Sequence, residues 1–177
     1  MPHSHRAAVL TVSDLGSRGE RVDTAGPAVA SALAGAGFEV VEQALLPDEP
    51  EQIAALLRRW ADGGEIALAV TTGGTGLAPR DRTPEATLAV LDYRVPGMEE
   101  AMRAASVAVV PTAMLSRAVC GVRGRTLIVN LPGSERGARE NLTVLLPVLE
   151  HACSSLRGDA EESASTHGRI QGTQGQS

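Results

Sequence analysis

The feature that most constrains the fold is an alternation between short apolar runs and longer helical patterns. The runs are rich in Val, Ile, Leu and Ala, as buried strands are, and they occupy residues 7–12, 38–46, 66–72 and 125–131. Helical patterns occupy residues 24–37, 47–64, 84–94, 96–110 and 132–156, and residues 113–124 are ambiguous. Strands that alternate with helices form parallel sheets covered on both faces. The sequence therefore predicts an α/β fold, a three-layer αβα sandwich with a mainly parallel sheet.

Composition limits the classes of partner. The chain has 177 residues, the size of one ordinary domain, and an aromatic content of 2%, which argues against ligand binding by aromatic stacking. The net charge of −5 argues against a broad basic surface, so no nucleic acid partner is expected. Cys120 and Cys153 are far apart in the sequence and have no metal-ligand spacing, so we interpret them as reduced thiols.

The domain organisation is predicted to be simple. Residues 1–156 carry all the strand and helix patterns, whereas residues 157–177 are rich in Gly, Ser, Thr, Gln and Glu. Such a composition cannot build a packed core, so this tail is predicted to be disordered. The first residues lack the apolar stretch of a signal peptide, and no apolar segment approaches the ~20 residues that span a bilayer. We expect a cytoplasmic protein with no membrane partner.

Distinctive residues follow each predicted strand. The carboxyl ends of parallel strands meet at one edge of a sheet, and open α/β sheets bind ligands in the crevice beyond that edge. The residues expected to converge there are Ser13 and Asp14, then Pro47, Asp48 and Glu49, then Gly73, Gly74, Thr75 and Gly76, and finally Asn130, Leu131, Pro132, Gly133 and Ser134. This convergence predicts the position of a binding site.

A glycine cluster follows the third predicted strand, in the stretch TTGGTGLAPRDRTPEAT (residues 71–87). It is not a Walker loop, because no Gly-Lys-Ser/Thr follows, and it lacks the third glycine of a dinucleotide fingerprint. Two interpretations remain. The glycines either serve a tight turn that needs positive φ, or they expose main-chain N–H groups that bind an anion.

The same stretch then places charge ahead of a helix. Thr83, Pro84 and Glu85 predict a helix start with Thr83 as its N-cap, so Asp81 is left without a capping role. A carboxylate beside a phosphate-binding loop repels its ligand unless a cation lies between them, and Mg²⁺ prefers such oxygen ligands. Asp48 is a candidate for the second carboxylate; its alternative role is to cap the next helix.

Ser134 begins the last helix, either as a plain N-cap or as part of a phosphate site at the helix N-terminus. The two roles are compatible. Residue chemistry alone thus predicts a small phosphate-bearing ligand with Mg²⁺, and goes no further.

The motifs also resemble those of a known family. The stretch at residues 71–87 resembles the signature of the molybdenum cofactor biosynthesis family with the MogA/MoaB-like, molybdopterin-binding fold. The segments VSD, SRG, LPDE, PGMEEAMR and NLPGS occur in the order expected for that family, and the resemblance extends over residues 7–156. It implies a molybdopterin adenylyltransferase, which transfers an adenylyl group from ATP to molybdopterin and releases pyrophosphate.

The resemblance also implies roles for individual residues. Asp48 and Asp81 match the carboxylates that position Mg²⁺ and ATP and are the expected catalytic and metal-binding residues. Asp14 and Glu100 match positions that accept hydrogen bonds from the pterin ring. The residues expected to cradle the dithiolene and phosphate end are Thr72, Gly73, Gly74, Thr75, Gly76, Pro132, Gly133 and Ser134.

Partners follow from the resemblance in the same way. It implies a homotrimer that binds molybdopterin and ATP and hands its product to a molybdate-insertion protein. Two alternatives remain open: a non-catalytic molybdopterin-binding or scaffold paralogue of the same fold, and a different phosphotransferase with a similar glycine loop. Turnover of molybdopterin with Mg²⁺ and ATP distinguishes the enzyme from the non-catalytic paralogue. Binding competition between molybdopterin and unrelated phosphates distinguishes it from a different phosphotransferase.

Overall fold

A computed structural model describes residues 4–158. Its strands are β1 (Arg6–Val12), β2 (Glu39–Leu46), β3 (Leu68–Thr72), β4 (Tyr93–Arg94), β5 (Cys120–Arg123) and β6 (Thr126–Leu131). Its helices are α1 (Asp14–Ser17), α2 (Ala25–Gly35), α3 (Pro50–Asp62), α4 (Thr83–Leu88), α5 (Pro96–Val107) and α6 (Glu135–Arg157), with a 3₁₀ helix at Pro111–Leu115. Within residues 4–158, no helix combines the length and apolar character needed to cross a membrane.

The strands form one six-stranded sheet in the order β2-β1-β3-β6-β5-β4. The first four strands in this order are parallel to one another, and β5 is antiparallel to both of its neighbours. The predicted mainly parallel sheet is therefore confirmed.

Helices cover the sheet on both faces, because alternate side chains of each strand point to opposite sides. Ala7 and Val9 of β1 join a core formed with α2, α5 and α6. Ala8 and Leu10 of the same strand join a second core, formed with α3 and α4. Two cores separated by one sheet make the predicted three-layer αβα sandwich.

Strands β4 and β5, at one end of the sheet, were not predicted. The pattern over residues 84–94 predicted one helix, but α4 ends at Leu88 and β4 follows it. Both strands are short, and they are defined by long-range pairs such as Tyr93 with Val122. Residue periodicity carries no signal for such pairing, because two to four residues are too few to show an alternation.

The helix caps agree only in part with the predictions. Ser134 is the N-cap of α6, as predicted, and its hydroxyl accepts a hydrogen bond from Gly137 N–H at 3.1 Å. Thr24 occupies the N-cap position of α2 but makes no side-chain cap, and the carboxylate of Asp23 accepts the Gly26 N–H instead. α6 runs through Arg157, the first residue of the predicted tail; residues 159–177 of that tail lie outside the described residues.

Candidate functional site

The candidate site lies where the direction of winding reverses. From β1 the chain passes to β2 on one side, and then crosses to β3 on the other side of β1. The carboxyl ends of β1 and β3 therefore border the crevice in which open α/β sheets bind ligands. Two cavities of about 450 Å³ each open at this edge.

One cavity, here named the acidic cavity, carries the predicted carboxylates. It is lined by Asp14, Asp48 and Asp81. The predicted binding residues that line it are Thr72, Gly73, Gly74, Gly133 and Ser134. The structure thus brings together residues from four separate segments, as the convergence of strand ends predicted.

The second cavity, here named the apolar cavity, lies on the other side of the glycine loop (residues 73–76). Its apolar lining includes Met102, Val110, Leu115 and Ala118. The predicted binding residues that line it are Thr75, Gly76, Pro132 and Ser134. Ser134 lines both cavities, so they are adjacent.

Glu100 lies outside both cavities. It is exposed on α5, whereas its neighbour Glu99 is 1% exposed and lines the apolar cavity. Successive residues of a helix point about 100° apart, so only one of the pair can face the sheet. Glu99, which was not predicted as a site residue, therefore lies at a cavity, whereas Glu100, which was predicted, does not.

The glycine loop is a tight turn with positive φ that leaves several main-chain N–H groups unbonded. Gly73 and Gly74 have φ of 100° and 67°, values at which other residues are strained. Gly73 N–H donates to Leu131 C=O at 3.1 Å. The N–H groups of Gly74, Thr75 and Gly76 make no hydrogen bond to any described residue. The interpretation as a tight turn with positive φ is therefore confirmed. A run of free N–H groups can bind phosphate in such loops, so the anion-binding interpretation stays a prediction.

Asp14 and Asp48, which both line the acidic cavity, exchange hydrogen bonds. Asp14 N–H donates to Asp48 Oδ2, and Asp48 N–H donates to Asp14 Oδ1, each at 3.0 Å. The alternative role of Asp48 as a helix cap is wrong, since Glu49 occupies the N-cap of α3. This reciprocal pair joins the ends of β1 and β2.

The pKa values of Asp48 and Asp14 are shifted in opposite directions. Burial raises the pKa of Asp48, and the carboxylates of Asp14 and Asp81 raise it further. Hydrogen bonds from Arg80 lower the pKa of Asp14. The charge on Asp48 is therefore costly, and a bound cation would relieve that cost.

Arg80 is a functional candidate that the sequence predictions missed. Its guanidinium donates to Asp14 Oδ2 at 2.5 Å and Oδ1 at 2.9 Å, and to Glu49 Oε1 at 2.8 Å. The available signal was its position one residue before Asp81, within Arg-Asp-Arg. Since Asp14 is engaged by Arg80, its predicted bonds to a ligand ring require that this guanidinium moves or shares the carboxylate.

Asp81 closes a turn over residues 78–81. Its Oδ2 accepts the Ala78 N–H at 3.0 Å, and its own N–H donates to Ala78 C=O at 2.9 Å. Thr83 is not the cap of α4, as was predicted: it is the first helical residue, after Arg82 at the N-cap. Its buried hydroxyl has no hydrogen-bond partner among the described residues.

The carboxylates fit a magnesium ion only when its other ligands come from elsewhere. Among residues 4–158 no group of three or more His, Cys, Asp or Glu is arranged to hold a metal. Asp48 and Asp81 nevertheless line one cavity, and Mg²⁺ commonly takes one or two carboxylates together with substrate phosphates and water. The residues present therefore fit Mg²⁺ bound with a phosphate ligand.

Fold and site together define an α/β protein with two adjacent cavities at the carboxyl edge of a mainly parallel sheet, bordered by a glycine loop and a set of aspartates. Residues 8–151 match the family model described as a probable molybdopterin binding domain. The chain belongs to this family, which confirms the resemblance found in the sequence.

Individual relatives agree with the family match. The chain is 44% identical to molybdopterin adenylyltransferase of Escherichia coli K12 over 140 residues, 77% of this chain and 71% of that protein. The structure of the molybdopterin biosynthesis enzyme MoaB of Thermus thermophilus is 57% identical, with a TM-score of 0.83, over 87% of this chain and 97% of that one.

Other relatives are longer proteins. The chain is 39% identical to the molybdenum cofactor synthesis protein cinnamon of Drosophila melanogaster over 93% of its own length. It spans only 28% of that relative, and 23% to 49% of two further curated relatives.

Proposed function

We propose that this protein transfers an adenylyl group from ATP to molybdopterin, a step of molybdenum cofactor biosynthesis. The observation that carries the proposal is the pair of adjacent cavities that meet at the glycine loop and at Ser134. One is lined by apolar side chains and suits a heterocycle, whereas the other gathers aspartates and suits a phosphate chain with Mg²⁺. The name of the Escherichia coli relative supports the same assignment.

The proposed reaction needs no protein nucleophile. An oxygen of the molybdopterin phosphate forms a bond to the α-phosphorus of ATP, the bond from that phosphorus to the α–β bridging oxygen breaks, and pyrophosphate leaves with the bonding electrons. The bound magnesium ion supplies charge neutralisation for the phosphates and the leaving group. The protein supplies position and electrostatic preorganisation.

Specific residues would serve these tasks. Asp48 and Asp81 would hold the magnesium ion, and the free N–H groups of Gly74, Thr75 and Gly76 would bind phosphate oxygens. The N-terminus of α6 at Ser134 adds a second anion-binding element that faces both cavities. The lack of a side chain at the glycines lets a phosphate reach these amides.

The decisive experiment supplies molybdopterin, ATP and Mg²⁺ and measures pyrophosphate and the adenylylated product. We expect turnover by the wild type and a loss of about 100-fold or more in Asp81→Asn, with molybdopterin binding retained. Asp62→Asn is the matched control, because Asp62 pairs with Arg123 outside both cavities. Tight molybdopterin binding by the wild type without turnover would instead identify a non-catalytic binding protein.

Assembly and location are separate proposals. By the family resemblance, we propose a cytoplasmic homotrimer that hands its product to a molybdate-insertion protein. Exposed apolar side chains at Val109 and Met114, which line neither cavity, support self-association at that face. Sedimentation equilibrium tests the trimer, and a monomer at micromolar concentration would contradict it.

A further inference from the structure

Arg117 makes an unusual set of contacts beside the site. Its Nε donates to Gly76 C=O at 2.8 Å, and its Nη2 donates to Asp81 C=O at 2.5 Å. Its Nη1 donates to Glu85 on α4, and its main-chain N–H donates to Thr75 C=O at 2.9 Å. One residue therefore binds the glycine loop, the Asp81 turn and the helix that follows.

The Asp81 turn has few other attachments. The hydrogen bonds between Ala78 and Asp81 close the turn on itself and do not fix it to the sheet. The side chains of residues 77–80 are exposed, so packing does not hold the turn in place. Bonds from Arg117 to Gly76 C=O, before the turn, and to Asp81 C=O, at its last residue, connect it to the rest of the site together with the Arg80–Asp14 pair.

Arg117 also connects the two cavities through its contacts. Its neighbours Ser116 and Ala118 line the apolar cavity, whereas its guanidinium holds the main chain of Asp81, which lines the acidic one. We propose that Arg117 is a positioning residue, which fixes the Asp81 carboxylate relative to the glycine loop and so sets the separation of the groups bound in the two cavities.

Only arginine can make this set of contacts with one side chain. The planar guanidinium directs donors from three nitrogens, and here they reach two carbonyls and a carboxylate at once. A lysine keeps the charge but has one nitrogen, which cannot reach three acceptors in different directions. Arg117→Lys therefore removes the geometry and keeps the charge.

The proposal has two readouts. Its kinetic readout rests on the proposed adenylyl transfer, but the order of the loop can be measured in the ligand-free protein. Amide hydrogen exchange followed by mass spectrometry reports the opening of residues 73–83 whether or not the protein is an enzyme. Failure of the proposed function thus leaves the exchange result intact.

Arg123→Lys is the matched control. Arg123 is 27% exposed, close to the 34% of Arg117, and it also binds a carboxylate and a main-chain carbonyl, those of Asp62 and Val90. These partners lie outside both cavities. A general effect of replacing a half-buried arginine appears in both variants, whereas a positioning effect appears only at Arg117.

We expect Arg117→Lys to remain folded, with exchange in residues 73–83 faster by about tenfold and unchanged in Arg123→Lys. We expect kcat to fall by about tenfold and the KM for molybdopterin to stay within about twofold, because orientation and not binding is lost. Unchanged exchange in residues 73–83 would overturn the proposal, as would faster exchange with an undiminished kcat.

Glu85→Gln keeps the test decisive if the lysine variant does not fold. Glu85 is 38% exposed, so its replacement is tolerated, and the change removes the charge that anchors the guanidinium without removing the guanidinium. We expect exchange in residues 73–83 to rise by about threefold. No change in this variant would also count against the positioning role.

Discussion

Gly74 and Thr83 pack so closely that a Cβ atom on Gly74 would overlap the hydroxyl oxygen of Thr83. The same Cβ would lie 3.0 Å from Asp48 Oδ1. Thr83 N–H in turn donates to Gly74 C=O at 3.1 Å. The glycine loop therefore lies directly against the start of α4, with no space for a side chain.

Gly74→Ala is expected to be more damaging than an alanine at another glycine of similar backbone conformation. Gly124, in the turn between β5 and β6, has φ of 56° and no neighbouring group within 4 Å of the position that a Cβ would occupy, so Gly124→Ala measures the conformational cost alone. We expect Gly124→Ala to lower the free energy of unfolding by about 1 kcal/mol, and Gly74→Ala to lower it by about 1–3 kcal/mol more, as measured by urea unfolding.

A double variant distinguishes the steric clash with the Thr83 hydroxyl from the backbone strain at position 74. In Gly74→Ala/Thr83→Ala the hydroxyl that the new Cβ would meet is gone, so the double variant should lose less stability than the sum of the single losses. Strict additivity would show that the backbone conformation, and not the contact with Thr83, makes Gly74 necessary.

The sequence predicted those parts of the site that depend on strand ends. Asp14, Asp48 and Gly73 each follow a strand, and parallel strands bring their carboxyl ends to one edge whatever the details of packing. The fold class was predictable for the same reason, because the alternation of strand and helix is a local pattern.

Residues that act through distant partners were not predictable. Arg80 bonds to Asp14, which is 66 residues away in the sequence, and Arg117 bonds to Gly76, which is 41 residues away. Nothing in the periodicity around either arginine indicates its partner. The orientation of Glu99 likewise depends on how α5 packs against β5, and the adjacent glutamates in PGMEEAMR give no signal of which one faces inward.

Asp48→Asn is expected to stabilise the protein at neutral pH. Burial raises the pKa of Asp48, so the folded state favours the protonated form and the ionised form costs stability above that pKa. The amide keeps an oxygen that can accept the Asp14 N–H, and it carries no charge. We expect Tm at pH 7 to rise by up to about 2 °C, a small change because Asp48 is only partly buried and water screens part of its charge.

The pH profile of this variant and of Asp14→Asn checks the signs. The gain in Asp48→Asn should vanish as the pH falls below the ordinary aspartate value of 3.8. Asp14 has a lowered pKa, owing to Arg80, so its carboxylate stabilises the fold above 3.8 and this stability is lost as the pH falls through its folded-state pKa. Asp14→Asn should therefore lower Tm at pH 7, and equal profiles would contradict both assignments.

Magnesium and ATP together should stabilise the wild type. A ligand that binds only the folded state at 100 times its dissociation constant adds about 2.7 kcal/mol, so we expect Tm to rise by about 5 °C or more and the rise to vanish with EDTA. Asp81→Asn should lose most of the rise, because its carboxylate is a proposed ligand of the ion. Asp62→Asn should keep it, since this residue lines neither cavity. An undiminished rise in Asp81→Asn would remove that carboxylate from the proposed metal site.

Glu99→Gln and Glu100→Gln test which of the two adjacent glutamates matters. Glu99 is 1% exposed and accepts hydrogen bonds from Arg94 at 2.5 Å and 3.1 Å and from Cys120 N–H at 3.0 Å, with Arg103 at 3.6 Å. In Glu99→Gln the two arginines face an uncharged amide, but both arginines reach water. We therefore expect the free energy of unfolding, measured in urea at pH 7, to fall by about 2 kcal/mol, which is less than the cost of breaking a fully buried pair.

The same measurement in acid checks the electrostatic origin of this cost. Burial alone would raise the pKa of Glu99, but the bonds from Arg94 and Cys120 outweigh it and the pKa lies below the ordinary value of 4.5. Its stabilising effect is therefore complete above 4.5 and is lost as the pH falls through the folded-state pKa, so the difference between Glu99→Gln and the wild type should narrow in acid. Glu100→Gln should stay within about 0.5 kcal/mol at every pH, because this side chain is exposed. A drop in molybdopterin affinity in Glu100→Gln alone would instead support the role that the family resemblance implied for that residue.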